Sequence, residues 1–272
     1  MEAQLIDCGT AGPALNAVKS WRVGEVEIDA TGMPSKELNN LLRNCMLNGT
    51  RHFLLKNICG QRYIGTRLFG LMIPLDIEIV GTPGNDLGAF LSGHRIMVHG
   101  NVQDGVGNTM DDGEITVQGR AGDVLGMSMR GGKIFVKEDV GYRTALHMKE
   151  YMDKKPVLVI GGTSQDFLGE YMAGGIVILL GLGGKPHLAN YIGTGMHGGV
   201  IYLRGDLMPS QLGQEVEISP LDEEDRAILD RYVGEFLDRF PEIGMCKEEI
   251  SEGNMIKISP ISKRPYGKIY AY

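Results

Sequence analysis

A recurring pattern begins at DIEIVG (76–81) and returns at RIMVHG (95–100), EITVQG (114–119), KIFVKE (133–138), VLVIGG (157–162), IVILLG (176–181) and IYLRG (201–205). Each stretch is short and rich in β-branched residues, which is typical of one β-strand. The first apolar residues of these stretches are separated by 19, 19, 19, 24, 19 and 24 residues. A fixed period near 20 residues predicts a solenoid, in which every unit stacks on its neighbour.

Two further columns of residues keep the same spacing between the strands. Glycine recurs in the first, with Ala145 as the single exception: Gly88, Gly107, Gly126, Gly169 and Gly193. Methionine dominates the second: Leu91, Met110, Met129, Met148, Met172 and Met196. We interpret the five glycines as structural turn positions, where a sharp corner requires positive φ or a close backbone approach. The methionines are expected to fill the space between stacked turns, because their side chains are unbranched and adaptable.

These columns predict a β protein, and specifically a single-stranded right-handed parallel β-helix of about seven coils with flanking α-helices on both sides. Seven coils at the usual strand spacing give a rod of roughly 34 Å. The stretch FLLKNICG (53–60) is expected to add one further coil. The predicted parts of the chain are an N-terminal strand and helix cap at 1–52, the β-helix at 53–208, and a C-terminal helix with an extended arm at 209–272.

Both flanks carry secondary-structure patterns of their own. EVEIDA (25–30) is typical of a strand, and 35–49 predicts a helix with Ser35 as its N-cap that closes the open end of the stack. A second helix is predicted over 222–240, packed along or across the other end. The last stretch, KISPISKRPYGKIYAY (257–272), resembles an extended arm that docks on a neighbouring molecule.

Composition excludes several classes of function. The 272 residues carry a formal charge of −7, which argues against nucleic acid or an anionic membrane as a partner. The four cysteines lie far apart and form no CxxC pair, so a reducing compartment is expected rather than a disulfide framework. No apolar run reaches the 18 or so residues of a membrane helix, and the N-terminal residues lack a signal-peptide pattern. A cytoplasmic location is therefore expected.

Asp104 and Asp123 are the strongest candidates for catalysis, because some β-helices are polysaccharide lyases or glycosidases. Adjacent coils would place the two carboxylates about 5 Å apart, near the spacing of a retaining glycosidase pair. Asn or Asp recurs in most coils of that column, however, and such side chains bond to nearby backbone in turns, which favours a structural role. His94 and His99 point to opposite faces of a strand and lack further ligands. No catalytic, cofactor-binding or metal-binding residue is therefore assigned.

One apolar column faces away from the predicted interior. It contains the residues midway along each strand: Glu78, Met97, Thr116, Phe135, Val159, Ile178 and Tyr202. An apolar stripe on the outside of a protein suggests a covered surface, either by the flanks of the chain or by another subunit. Met97, Phe135, Val159, Ile178 and Tyr202 are therefore the candidate interface residues.

Four corner phrases show a resemblance to a known family. GQRYIG (60–65), GTPGNDLGAF (81–90), GNVQDGVGNTM (100–110) and GRAGDVLGMSMRGG (119–132) resemble the GXGXG β-helix domain of glutamate synthase, and the resemblance covers about 35–205. In large single-chain glutamate synthases this domain is structural and braces the glutaminase and FMN-bearing synthase domains. The chain is most similar to the stand-alone version, in which the domains are separate polypeptides.

The resemblance implies a non-catalytic scaffold subunit of a glutamate synthase-like complex. Glutaminase-like and FMN-dependent synthase-like subunits are the implied partners, with FMN and an iron–sulfur cluster bound by those partners and not by this chain. Two alternatives share the same scaffold: formylmethanofuran dehydrogenase and methylamine–glutamate N-methyltransferase complexes. A third alternative is an independent carbohydrate-active enzyme that uses Asp104 and Asp123.

Overall fold

The computed structural model describes residues 18–20, 24–68, 74–251 and 253–262. Its strands are β1 (Val18–Ser20), β2 (Glu25–Asp29), β3 (His52–Cys59), β4 (Asp76–Thr82), β5 (His94–His99), β6 (Gly113–Val117), β7 (Lys133–Val136), β8 (Val157–Ile160), β9 (Ala173–Leu179), β10 (Gly198–Arg204), β11 (Val216–Ser219) and β12 (Met255–Pro260). Its α-helices are α1 (Ser35–Leu47), α2 (Glu223–Arg239) and α3 (Lys247–Ser251). Short 3-10 helices lie at Pro209–Gln211 and Pro241–Ile243.

The strands form one sheet in which β2 to β10 are parallel neighbours in chain order. The first apolar residues of the repeated stretches pair with one another in successive strands, as their spacing predicted. These residues are Ile77, Ile96, Ile115, Ile134, Leu158, Val177 and Ile201. The two five-residue insertions fall between strands and leave this register unchanged. The β-helix prediction is confirmed, with about eight turns because β3 adds the further coil expected at 53–60.

The interior is filled by the inward-facing strand residues and by the methionine column. Both inward positions of each strand are buried, as in the pairs Ile96 with Val98 and Ile134 with Val136. Met110, Met129 and Met148 are inaccessible to solvent and belong to the same apolar cluster. Because each coil contributes the same side-chain types at the same places, the core is a continuous rod rather than a set of separate clusters.

Each coil has a corner at the glycine column. The five predicted turn glycines have φ between +65° and +71°, and Ala145 has φ +64°. At Gly107 space is limiting as well, since an added Cβ would lie 2.3 Å from Ile134 Cδ1. Gly65, with φ +86°, holds the same place in the preceding coil. Residues two before and two after these positions are also left-handed, with φ of +53° to +73°, and all but Gly105 and Gly195 are not glycine: Tyr63, Arg67, Asp86, Phe90, Thr109, Val124, Ser128, Arg143, His147, Phe167, Tyr171 and Tyr191.

Hydrogen bonds between coils hold these left-handed residues in place. The N–H of Asp86 donates to the carbonyl of Asp104 at 2.8 Å, and the N–H of Phe90 donates to Asn108 at 2.9 Å. The Gly88 N–H donates in the opposite direction, to Ile64. Left-handed backbone costs a non-glycine residue roughly 1–2 kcal/mol. The corner offsets this cost because every coil bonds to the one before and the one after it.

The N-terminal helix closes one end of the stack. Its apolar face, including Leu38 and Leu42, is buried in the same core as the strands. The predicted cap residue is wrong: Pro34 occupies the N-cap position, and the Ser35 hydroxyl instead accepts a hydrogen bond from the N–H of Arg62 at 3.0 Å. Proline is suited to this boundary because it cannot donate a backbone hydrogen bond and has a restricted φ.

The C-terminal flank differs from its prediction in two respects. Helix α2 lies along the side of the stack and not over its end, because its apolar stripe packs against the outward column of β7–β10. The predicted arm pairs with its own chain: β12 runs antiparallel between β10 and β11 and covers the edge of the sheet. Residues 263–272 lie outside the described residues. In the part of the chain that the structure describes, no helix is long and apolar enough to span a bilayer.

Candidate interface on the outer face of the stack

The outer face consists of the side chains on β2–β10 that point away from the core. On β7–β10 most of these side chains are apolar, with Lys133 and Arg204 as exceptions, and four of the five candidate interface residues lie here: Phe135, Val159, Ile178 and Tyr202. All four are at most 1% exposed and form one cluster with Leu229, Val233 and Phe236 of α2. Of the two kinds of cover considered, the flank of the chain itself covers this half.

A buried polar contact fixes the first turn of α2 to the stack. The Tyr202 hydroxyl donates to Asp225 Oδ1 at 2.5 Å, and Lys257 Nζ of β12 lies 2.6 Å from Asp225 Oδ2. Burial by itself would raise the pKa of Asp225, but the hydrogen bonds from Lys257 and Tyr202 outweigh it and hold this pKa below its usual value. Burial and the neighbouring Asp225 raise the pKa of the Tyr202 hydroxyl. The helix is therefore attached through an ionised carboxylate.

A second polar contact fixes the last turn of α2. Arg239 binds Glu114 through two hydrogen bonds, Nε to Oε1 at 2.8 Å and Nη2 to Oε2 at 2.5 Å. Its guanidinium lies 4.2 Å from the centre of the Phe135 ring. Burial would lower the pKa of Arg239, but the bond to Glu114 outweighs this and raises it. One arginine thus stacks on an apolar outward residue and binds the carboxylate of the preceding strand.

The two contacts show that α2 runs along the axis of the stack. Its 17 residues extend about 25 Å. It reaches from β12 to β6, six neighbouring strands that span about 24 Å. After Arg239 the chain turns back through Pro241–Ile243, so the helix ends where the apolar part of the outward column ends.

Beyond the last turn of α2, which reaches Glu114 of β6, the outer face of β2–β6 forms an open groove of about 660 Å³. Two of its outward residues, Glu27 and Thr116, are buried. The groove is lined by residues of five strands: Glu25, Val26, Glu27, His52, Phe53, Leu54, Asp76, Ile77, Glu78, Arg95, Ile96, Met97, His99, Glu114 and Thr116. Met97, the fifth candidate interface residue, is half-buried here beside Glu78 and Thr116. Among the five candidates, it alone faces this open surface.

The groove is acidic. Five carboxylates line it against one arginine, with His52 and His99 as the other titratable groups. Four of the five carboxylates are already paired: Lys56 Nζ lies 2.8 Å from Glu27, Arg95 lies 3.4 Å from Asp76, His99 Nε2 lies 2.6 Å from Glu78, and Arg239 binds Glu114. Glu25 has no ion-pair partner among the described residues, and the Glu78 side chain is 54% exposed. The groove therefore combines an apolar floor with excess negative charge at its rim.

The candidate catalytic carboxylates are part of the corner structure. Asp104 Oδ1 accepts a hydrogen bond from the N–H of Asp123 at 2.9 Å, and Asp123 Oδ1 accepts one from the N–H of Tyr142 at 2.9 Å. The same contact recurs two coils later, where Asp166 Oδ1 accepts from the N–H of Asn190 at 2.8 Å. Each carboxylate thus binds the backbone of the next coil, as the structural interpretation of this column predicted.

The histidines of β5 do not form a metal site. His94 is buried, and its ring nitrogens contact the Leu75 N–H and the Leu68 carbonyl, whereas His99 lies on the outer face. Across the described residues there is no group of three His, Cys, Asp or Glu side chains placed to hold a metal ion. No disulfide joins the described cysteines, and Cys8 lies outside the described residues.

The repeated corner and the matched register agree with the comparison of this chain with known families. The sequence model of the GXGXG motif matches residues 44–248, which contain all strands from β4 to β10. The chain belongs to the GXGXG family. This family is that of the β-helix domain of glutamate synthase, as the corner phrases indicated. The chain is also similar to the uncharacterized protein MJ1350 of Methanocaldococcus jannaschii, with 50% identity over 253 residues that cover 90% of this chain and 96% of that protein.

Some residues of the candidate site were not identified from the sequence. Arg239 and Glu114 are 125 positions apart, and nothing in either local pattern links them. Glu25 was recognised only as a strand residue, and Glu78 only as a member of the outward column. A sequence signal did exist for the groove: the outward column changes from Phe135 and Val159 to Met97 and Glu78, which marks the place where an apolar cover must end.

Proposed function

We propose that this chain is a non-catalytic scaffold subunit of a multi-subunit glutamate synthase-like complex in the cytoplasm. In such a complex, glutaminase-like and FMN-dependent synthase-like subunits transfer the amide nitrogen of glutamine to 2-oxoglutarate, as one route of ammonia assimilation into glutamate. FMN and an iron–sulfur cluster would be held by those partners. Membership of the GXGXG family supports this role, since the related domain of glutamate synthase is structural.

The observation that carries the proposal is the open groove on the outer face of β2–β6. The remaining outer face is covered by α2, and the sheet edge beyond β10 is covered by β12 and β11. The carboxylates that an independent glycosidase would need, Asp104 and Asp123, are bound to backbone N–H groups. The open groove therefore remains as a surface on which another protein can bind, and a subunit that positions other subunits needs such a surface.

Co-purification tests the proposal. The full chain would carry an affinity tag at its own chromosomal locus, so that it is produced at its natural level, and the recovered proteins would be identified by mass spectrometry. We expect a glutaminase-like and a synthase-like subunit in fixed ratio, and glutamate formation from glutamine and 2-oxoglutarate by the recovered complex. A chain recovered alone and monodisperse would refute the proposal.

The same experiment separates the alternatives within the family. A formylmethanofuran dehydrogenase or a methylamine–glutamate N-methyltransferase complex would be recovered with different catalytic subunits. The identity of the co-purified chains therefore decides which complex this scaffold serves.

A further inference from the structure

Helix α2 shows which kind of segment the outer face binds. It lies along the stack, inserts apolar side chains between the strands' outward residues, and ends with Arg239 stacked on Phe135 and bonded to Glu114. Glu114 belongs to β6 and also lines the open groove. The groove therefore begins at the residue where the intramolecular helix ends.

We infer that the open half of the outer face binds an α-helix of a partner subunit, aligned end to end with α2 and carrying arginine or lysine next to apolar side chains. This inference rests on the proposed scaffold function and specifies the partner segment that the scaffold recognises. The strands β2–β6 span about 19 Å, which corresponds to a helix of about 13 residues.

The apolar part of the partner helix is specified by the floor of the groove. Leu54 of β3 and Met97 of β5 are half-buried outward residues on either side of Glu78. Methionine is adaptable and is frequent at binding surfaces. These two side chains offer the kind of contact that Phe135 and Val159 make with α2, over a smaller apolar area.

The charged part is specified by complementarity. Of the five carboxylates that line the groove, Glu25 is without an ion-pair partner in the described chain, and the Glu78 side chain is 54% exposed. Two coils before Phe135 and Glu114, the same register positions are held by Met97 and Asp76, and Asp76 already lies 3.4 Å from Arg95. The carboxylate directly opposite Met97 is Glu78. A partner arginine that stacks on Met97 and binds Glu78 would combine an apolar contact with a carboxylate contact, as Arg239 does on Phe135 and Glu114.

The same charges argue against a second copy of this chain in the groove. A two-fold contact would place Glu25 and the exposed Glu78 of one copy against the same acidic surface of the other, and like charges that face each other across an interface are unfavourable. An acidic partner segment is disfavoured for the same reason. The occupant is therefore a cationic helix of a different subunit.

The test compares two variants of the full chain that carry the same change in net charge. The first reverses groove charges, Glu25→Lys with Glu78→Lys. The matched control reverses exposed acids on other surfaces, Glu217→Lys on β11 with Glu248→Lys on α3. Binding to the purified glutaminase-like and synthase-like subunits is measured by calorimetry, and thermal melting shows whether each variant folds.

We expect the groove variant to bind one of the two subunits at least about tenfold more weakly, with the control unchanged, and wild-type binding to weaken as salt is added. Wild-type affinity in the groove variant would overturn the inference, although the scaffold function would stand. Absence of binding by the wild-type chain would instead refute the scaffold function.

A second measurement identifies the occupant and does not depend on charge reversal. A photo-crosslinking amino acid replaces Met97, and a second variant carries it in place of Tyr191 at the corner of the stack as a control. We expect position 97, and not 191, to cross-link to a helix of a partner subunit that contains arginine or lysine. Cross-links to a second copy, to residues 263–272 of the same chain, or to an acidic segment would each overturn the inference.

Discussion

The two halves of the outer face are built on the same strands but differ in what covers them. On β7–β10 the outward residues are mostly apolar, the apolar ones are shielded from solvent, and α2 packs on them. On β2–β6 the outward residues are mostly charged, and the surface is an open acidic groove. The inward faces of both halves are alike in composition and burial. One repeat can therefore form a uniform core while its outer surface serves two different purposes.

This difference indicates that the composition of the outward column determines how far α2 extends along the stack. An apolar column must be covered, because exposed apolar area on this scale is unfavourable in water. Helix α2 ends at Arg239, where the column changes to Thr116 and Met97, and the arginine neutralises the first carboxylate beyond the apolar region. Four predictions test this contrast, from the largest expected effect to the smallest.

Introducing a carboxylate into each half should destabilise the chain to very different extents. Val159→Asp places a charge beneath α2 with no partner, and we expect a loss of about 4 kcal/mol or more in the free energy of unfolding. Met97→Asp in the open half should cost about 1 kcal/mol or less. Urea denaturation of both variants measures the difference, and equal losses would show that the halves are not distinct.

Truncation of the principal anchor of α2 should produce the next largest effect. Phe236 is inaccessible to solvent and its ring centre lies 4.7 Å from that of Phe240. We expect Phe236→Ala to cost about 3–5 kcal/mol, because a cavity opens between the helix and the sheet. Leu54→Ala is the matched truncation in the open half, with an expected cost of about 1 kcal/mol. A small effect at Phe236 would indicate that the helix is not required for folding.

The ion pair at the junction of the two halves should couple more strongly than a pair within the groove. A double-mutant cycle with Arg239→Ala and Glu114→Gln is expected to give about 1–3 kcal/mol of coupling energy, since the contact has two hydrogen bonds and is partly buried. The more exposed pair of Arg95 and Asp76 should give about 0.5 kcal/mol. Coupling of the same size in both cycles would contradict this ranking.

The smallest effect is a pH dependence that arises at the covered half. The pKa of Asp225 is lowered in the folded chain, so its contribution to stability is complete above the unfolded value of about 3.9. That contribution is lost as the pH falls through the lower folded pKa. Asp225→Asn should therefore weaken the dependence of stability on pH below about pH 4, measured as the urea midpoint at a series of pH values. An acid dependence identical to that of the wild-type chain would exclude this role for Asp225.

The parts of the molecule that repeat could be predicted from the sequence. Ile77 lies opposite Ile96 and Ile134 opposite Leu158, as their spacing indicated, since a one-residue shift would turn a strand's buried residues to the outside. The corner was predicted only at its glycine. Phe167 and Tyr191 are left-handed as well, and their rings stack 4.9 Å apart, but a local pattern does not predict positive φ for an aromatic residue.

The sequence by itself determined the period, the inward faces, the turn glycines and the presence of an outward column that needs a cover. Each of these follows from side chains recurring at one spacing, because stacked coils bring like residues together. Only the tertiary structure decided which segment covers which part. Helix α2 could have packed at the end of the stack or along its side, and the choice depends on contacts such as Arg239 with Glu114 that join residues 125 positions apart. Those contacts arise from the fit of whole surfaces, which a local pattern does not contain.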